Sequence, residues 1–265
     1  MGHKEKAIRM SLDPMLQETP LLDYSTDAIQ TLITDREWMS MTPSKRAEAV
    51  YEFVRTEIAF GYNSDDTLSA SKVLQEGYGQ CNTKTTLLMA LLRAVGLPCR
   101  FHGFTIHKSL QRGIVPEVIY PLAPTNILHS WVEVSLEGKW VTLEGFILDD
   151  RVLAALQSAF PERENICAYG AGTDNLHDPD VRWSGQDTYI QKTGINSDLG
   201  VFASPDAFYA KYRQLRGIKG LLYRFLIRHW MNARVARLRR GVVPSIPGGP
   251  EPVLSSRQSN VKEVV

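Results

Sequence analysis

Between residues 42 and 146 the apolar positions fall into a readable order. Thr42-Pro43 puts proline at a first helical position, and Ala47, Val50, Tyr51, Val54 and Ile58 then recur at i, i+3, i+4 spacing, which predicts a helix with one inward face. Ser69 or Ser71 opens a shorter helix that runs through Leu74 and ends at Gly77. Cys81–Val95 is apolar around much of its circumference through Leu87, Leu88, Ala90, Leu91, Leu92 and Ala94, so this helix belongs in the interior, with Gly96 and Pro98 stopping it. Cys99–Ile106 alternates like a strand, carrying Phe101, Phe104 and Ile106. Two more strands, Ile127–Leu136 and Lys139–Phe146, flank Glu137-Gly138, a pair suited to a two-residue hairpin turn.

The flanks are less regular. Pro14 and Pro20 make the first twenty residues an irregular lead-in, followed by a short helix over Asp27–Trp38 with Ile29, Leu32 and Ile33 inward and Ser25 as a cap candidate. From Gln157 to Ser204, Gly170, Gly172, Pro179 and Gly194 predict extended loops that could cover a site. Asp206–Arg240 reads as one long helix. From Gly241 onward, Pro244, Pro247, Gly248, Gly249, Pro250 and Pro252 predict a disordered tail.

The chemistry centres on Cys81, where the glycine-bearing turn Gly77–Gln80 enters the apolar helix. A helix start offers unpaired N–H groups and the positive end of the dipole, which favour thiolate over thiol. His129 opens a strand. If Glu137 and Gly138 fill the turn, Leu136 pairs with Lys139 and Trp131 with Glu144, which makes Glu144 the diagonal, same-face neighbour of His129. Thiol, imidazole and carboxylate are the parts of a cysteine-nucleophile site. The oxyanion would meet the Cys81 amide and a second donor from among Gln80, Tyr78 and Trp131. Each residue alone has a plainer role, as a small core thiol, a satisfied histidine or a solvated strand carboxylate; their conjunction points to catalysis. Cys99 and Cys167 lack such a setting. Cys99, His102 and His107 are irregularly spaced and parity places His102 on the opposite face, so no metal site or cofactor is expected.

Composition narrows the setting. A 265-residue chain with 43% hydrophobic residues has ample core material, and a net charge of +1 gives no bulk attraction to nucleic acid or membrane. Three cysteines make no disulfide framework. The N-terminus is charged and has no apolar run of signal length, and no stretch reaches the ~20 apolar residues that span a bilayer, so a cytoplasmic location is expected. Between Asp206 and Glu251 lie ten Lys or Arg and no acid, with Tyr212, Leu215, Leu222, Phe225, Leu226 and Trp230 able to form an apolar stripe. That segment reads as a packed helix with a solvated basic face, or as a contact for a partner protein or a second copy; its charge alone could draw anionic lipid or nucleic acid, without a specific nucleic-acid signature.

Gly79-Gln80-Cys81, the run Leu91-Leu92-Arg93-Ala94-Val95-Gly96-Leu97-Pro98-Cys99-Arg100, and His129-Ser130-Trp131-Val132-Glu133-Val134 followed by Gly138, Trp140 and an acid together resemble the transglutaminase-like superfamily. The resemblance covers about residues 43–150. It implies an α+β, papain-like fold with the nucleophile helix packed on an antiparallel sheet. The corresponding division is a catalytic domain over 1–200 with its core at 43–150, a basic helical extension over 201–240 and a tail over 241–265. It also implies acyl chemistry at Cys81 with His129 and Glu144 on a peptide, protein or small-amide substrate. Hydrolysis is favoured over transfer to an amine, with a non-catalytic binding module as the reading from another class. The chain departs from the family in having glutamate where aspartate is usual, with Asp149 as a fallback acid, and residues 150–265 lie beyond the resemblance.

Overall fold

The computed structural model describes residues 13–214, 217–249 and 251–253. Helices α1 (Asp27–Asp35) and α2 (Pro43–Thr56) bury the predicted stripes, Ile29 and Ile33 on one and Ala47, Val50, Tyr51 and Val54 on the other. Strand β1 (Ala59–Phe60), helix α3 (Ala70–Glu76) and strand β2 (Tyr78–Gly79) follow, with β1 and β2 paired in parallel. From β2 the chain runs directly into α4 (Cys81–Ala94). Gly79 is required at this entry, because a Cβ there would lie 2.7 Å from the Thr83 hydroxyl and 2.9 Å from the Lys84 side chain.

Every residue of α4 from Cys81 through Arg93 is buried, including a polar first half that its periodicity does not explain. Hydrogen bonds do. Thr83 donates to Asn63 Oδ1 at 2.6 Å, Thr85 to the Ser130 carbonyl at 3.1 Å and Lys84 to the carbonyls of Ile58 and Ile147 at 2.8 and 3.2 Å. At the other end Arg93 donates to the carbonyls of Gln17, Cys99 and Ala203, gathering three segments around one guanidinium.

Strands β3 (Cys99–His107), β4 (Asn126–Leu136) and β5 (Lys139–Leu143) form consecutive antiparallel neighbours on which α4 packs. Leu136 faces Lys139 and Val132 faces Leu143, the register expected from the turn. Glu137 and Gly138 hold φ of 50° and 79°, the left-handed pair that a tight twisted hairpin needs. The strand stops at Leu143 rather than continuing to Phe146, so Glu144 sits one residue past its end.

The expected loop region is only partly loop. Asp149 caps α5 (Asp150–Ala159), Ile166–Ala168 and Ala171–Thr173 form a hairpin (β6 and β7), and β8 (Ile195–Phe202) pairs with β3 to complete the sheet order β5-β4-β3-β8. The single helix expected over Asp206–Arg240 is also corrected. It begins as α6 (Pro205–Lys211), whose Phe208 ring lies flat on Gly103, where a Cβ would come within 2.3 Å of it. It breaks at Tyr212, whose extended backbone lets its ring pack on Phe202 and Phe208. The chain resumes as α7 (Gly217–Leu222), passes through a π turn at Tyr223–Ile227 and ends in α8 (Arg228–Leu238). Residues 241–249 do not leave the surface as a free tail: Val243 and Ile246 are buried, and the Tyr169 hydroxyl donates to the Pro244 carbonyl at 2.6 Å. Of the predicted tail, 254–265 lie outside the described residues. Among those described, no helix is long and apolar enough to cross a membrane.

Candidate active site

Cys81 occupies the first position of α4 and lines a cavity of about 550 Å³. The next residue sets its neighbours. Asn82 donates from Nδ2 to the Leu128 carbonyl at 3.1 Å and accepts at Oδ1 from the Ser130 hydroxyl at 2.9 Å, gripping the residues on both sides of His129. The first turn of α4 is thereby pinned to the start of β4. Sequence reasoning passed over Asn82; its only signal was a strongly polar residue in the first turn of a core helix.

His129 and Glu144 are both fully buried, with Nε2 3.2 Å from Oε1. The separation suits an ion pair, but the alignment is poor, and among the described residues neither ring nitrogen has a hydrogen-bond partner. Buried polar atoms without partners are uncommon and concentrate where chemistry needs them. Glu144, by contrast, is held firmly. Its carboxylate accepts from the amides of Ile190 and Gln191, the latter at 2.9 and 3.0 Å, while its own N–H meets Thr188. These donors come from residues 188–191, in the stretch read as loop. They anchor a side chain one methylene longer than the aspartate usual at this place.

The electrostatics of the sulfur correct an expectation. Burial, and after it the charge of Asp66, push the Cys81 thiol well above its ordinary value; the Asn82 and Cys81 amides pull the other way and do not prevail. Desolvation outweighs the helix start, so the fold favours thiol over thiolate at the resting sulfur. Asp66, which also lines the cavity, is itself pushed up by burial against the opposing hydrogen bonds of Gln80 and Asn82.

The other candidates separate. Gln80 lines the cavity, with its carboxamide bridging the Asn63 amide at 2.8 Å and Asp66 at 3.0 Å. Tyr78 does not line it; its ring lies over Gly61. Trp131 does not line it either; it packs on Phe104 with its indole N–H on Glu133 at 3.3 Å. Asp149 is structural: it accepts from Phe60 and Val152 amides and pairs with Arg239 at 2.6 Å. Cys99 is sealed against α4, its sulfur 3.5 Å from the Met89 carbonyl, and burial raises its thiol to about 11. His102 pairs with Glu133 at 2.7 Å and Asp198 at 2.9 Å, and His107 bonds Ser109. Among the described residues no group of three or more His, Cys, Asp or Glu is arranged to hold a metal ion.

Residues 34–145 match the profile of the transglutaminase-like superfamily. Over this segment the chain is similar to the transglutaminase-like superfamily. A solved structure, that of a "putative cysteine protease" from Cytophaga hutchinsonii, is 14% identical with a TM-score of 0.43, covering 73% of this chain and 47% of its own. The chain thus spans about half the length of that protein. No curated protein matches. The transglutaminase-like core ends just past the acid, so the amides that hold Glu144 and the helix facing Cys81 across the cavity are supplied by residues beyond it.

Proposed function

We propose that the protein is a cysteine-dependent hydrolase of amide-type bonds, working through an acyl-enzyme at Cys81 with His129 as base and Glu144 as the orienting acid. The observation that carries this reading is the fully buried imidazole of His129, with both nitrogens unpartnered, one of them 3.2 Å from an anchored carboxylate. An imidazole kept in that state behind a cavity-lining cysteine is suited to proton transfer.

Because the resting thiol is neutral, the nucleophile arises by transfer of the Cys81 proton to the ring of His129 as the substrate is engaged. The thiolate sulfur bonds to the acyl carbon, and the carbonyl electron pair moves onto oxygen, facing the amides at the start of α4. As that pair returns, the C–N bond breaks and His129 gives its proton to the departing nitrogen. Water then loses a proton to His129 and attacks the thioester. Release of the acid returns the proton to sulfur. Glu144 stabilises the imidazolium in both halves.

The test is to trap the intermediate. The wild-type chain incubated with cell extract and quenched in acid should carry an acyl mass increment on the Cys81 peptide, absent from Cys81→Ala and strongly reduced in His129→Ala. Full turnover by Cys81→Ala would overturn the mechanism.

A further inference from the structure

The cavity in front of Cys81 has a definite chemical character. On the sheet side it is walled by Ile106, Val115 and Leu128, and on the helix side by Leu222, Ile227 and Met231. Its volume lies within the range of small-molecule pockets, roughly 300–1,000 Å³. Several of its polar side chains are engaged with one another or with the backbone. Asp65 takes Thr67 and Arg224, Asp66 takes Gln80, and Gln214 bonds the Leu128 amide.

The apolar lining does not stop at the mouth. Leu122 on one lip is 77% exposed, and Leu221 and Leu222 on the other are 55% and 48% exposed, although all three line the cavity. Val118 and Ile218, beside these lips, are 78% and 85% exposed. Apolar side chains grouped in water beside a cavity mark a place where an apolar partner group docks. One cavity thus runs from these exposed apolar lips to the sulfur.

We infer that the acyl group received by Cys81 carries a long hydrocarbon chain, which lies in this cavity between β3, β4 and the helix of residues 217–231. The inference rests on the thiol reading above and adds the substrate class to it. The chain enters between the Leu122 and Leu222 lips, and its carbonyl end reaches the start of α4, where Gln80, Asn82 and Asp66 line the cavity beside Cys81.

Two measurements on the full-length chain separate the parts. In a Cys167→Ala background, which removes the exposed thiol, N-ethyl-, N-hexyl- and N-dodecylmaleimide are compared for their second-order rates at the Cys81 peptide. The rate should climb with chain length, by at most roughly fourfold per methylene, and Leu222→Asp should flatten the climb. Ethylmaleimide modifying Cys81 with no gain from longer chains overturns the chain site and leaves the thiol reading standing. In Cys81→Ala, where no chemistry occurs, 11-(dansylamino)undecanoic acid should bind with enhanced, blue-shifted emission that Leu221→Asp and Leu222→Asp each weaken at least tenfold. Absence of binding overturns the proposal independently of whether Cys81 reacts.

Discussion

The two sides of Cys81 are built from different material. One is a sealed polar layer on the β4–β5 side: His129 and Glu144 are fully buried, and the carboxylate is fixed by backbone amides from residues 190 and 191. In front lies an apolar chamber whose far wall is a helix standing half in water. The back wall is held by backbone groups, which tolerate little movement, and the front wall by side chains that sequence change can replace singly. On the proposed reading, acid–base chemistry belongs to the first region and substrate choice to the second.

The sharpest way to break this comparison is at Glu144. Glu144→Gln keeps the size of the side chain, removes the charge that stabilises a protonated His129, and puts an NH₂ where the Ile190 and Gln191 amides donate. It should lower kcat by about 10²–10⁴ while KM changes little. A variant that instead raises KM alone would move Glu144 out of the chemistry and into the front wall.

Lys84 offers a second, thermodynamic break. It lies fully buried in the α4 turn after Cys81, and burial, its first cause, lowers its pKa from 10.5 to about 7. The folded pKa is below the unfolded one, so between about 7 and 10.5 the unfolded chain binds more protons than the folded one. Stability should therefore rise with pH across that window, by up to about 1.4 kcal/mol per unit. Lys84→Met should lose this rise, as read by urea unfolding at pH 7, 8.5 and 10. A slope unchanged by the substitution would mean that the ammonium is solvated and the back layer open to water.

The sequence contained the back of the site more fully than the front. Glu137-Gly138 fixes the hairpin register, and with it the meeting of His129 and Glu144, because a two-residue turn leaves no freedom of pairing. Gly79, Cys81 and the Gly96–Pro98 stop bound α4 by local rules. The clamp at residues 188–191 carries no periodicity, being backbone amides whose use depends on where Glu144 ends up. Strand β8 is an edge strand of mostly partly exposed or exposed residues, INSDLGVF, so it lacks the alternation that marks a half-buried strand. The thiol's raised pKa was also illegible: the helix start is a local feature, but burial and the approach of Asp66 arise only on folding.

Asp66 is a cavity-lining acid whose charge acts on the sulfur, so it tests the comparison more finely. Its negative charge disfavours the thiolate, and Asp66→Asn should shift the pH profile of Cys81 alkylation downward. An unmoved profile would mean that burial alone sets the sulfur, and that the front wall is electrostatically silent.

The smallest expected effect concerns how the front wall is attached. Arg224 meets Asp65 at 3.1 Å, but both side chains are more than 40% exposed, at 45% and 42%. Such pairs contribute about 0–1 kcal/mol. The helix has firmer ties: Asn232 accepts from the Tyr62 amide at 2.7 Å and donates to its carbonyl at 3.0 Å, while Met231, Val235 and Leu238 are buried. Arg224→Ala should therefore lower Tm by less than about 4 °C, whereas Asn232→Leu, which strands both Tyr62 backbone groups, should lower it more. The reverse order, read by thermal unfolding of the two variants side by side, would mean that the chamber is closed by a surface charge pair. Its wall would then open with salt, and the front of the site would be a gate in place of a fixed mould.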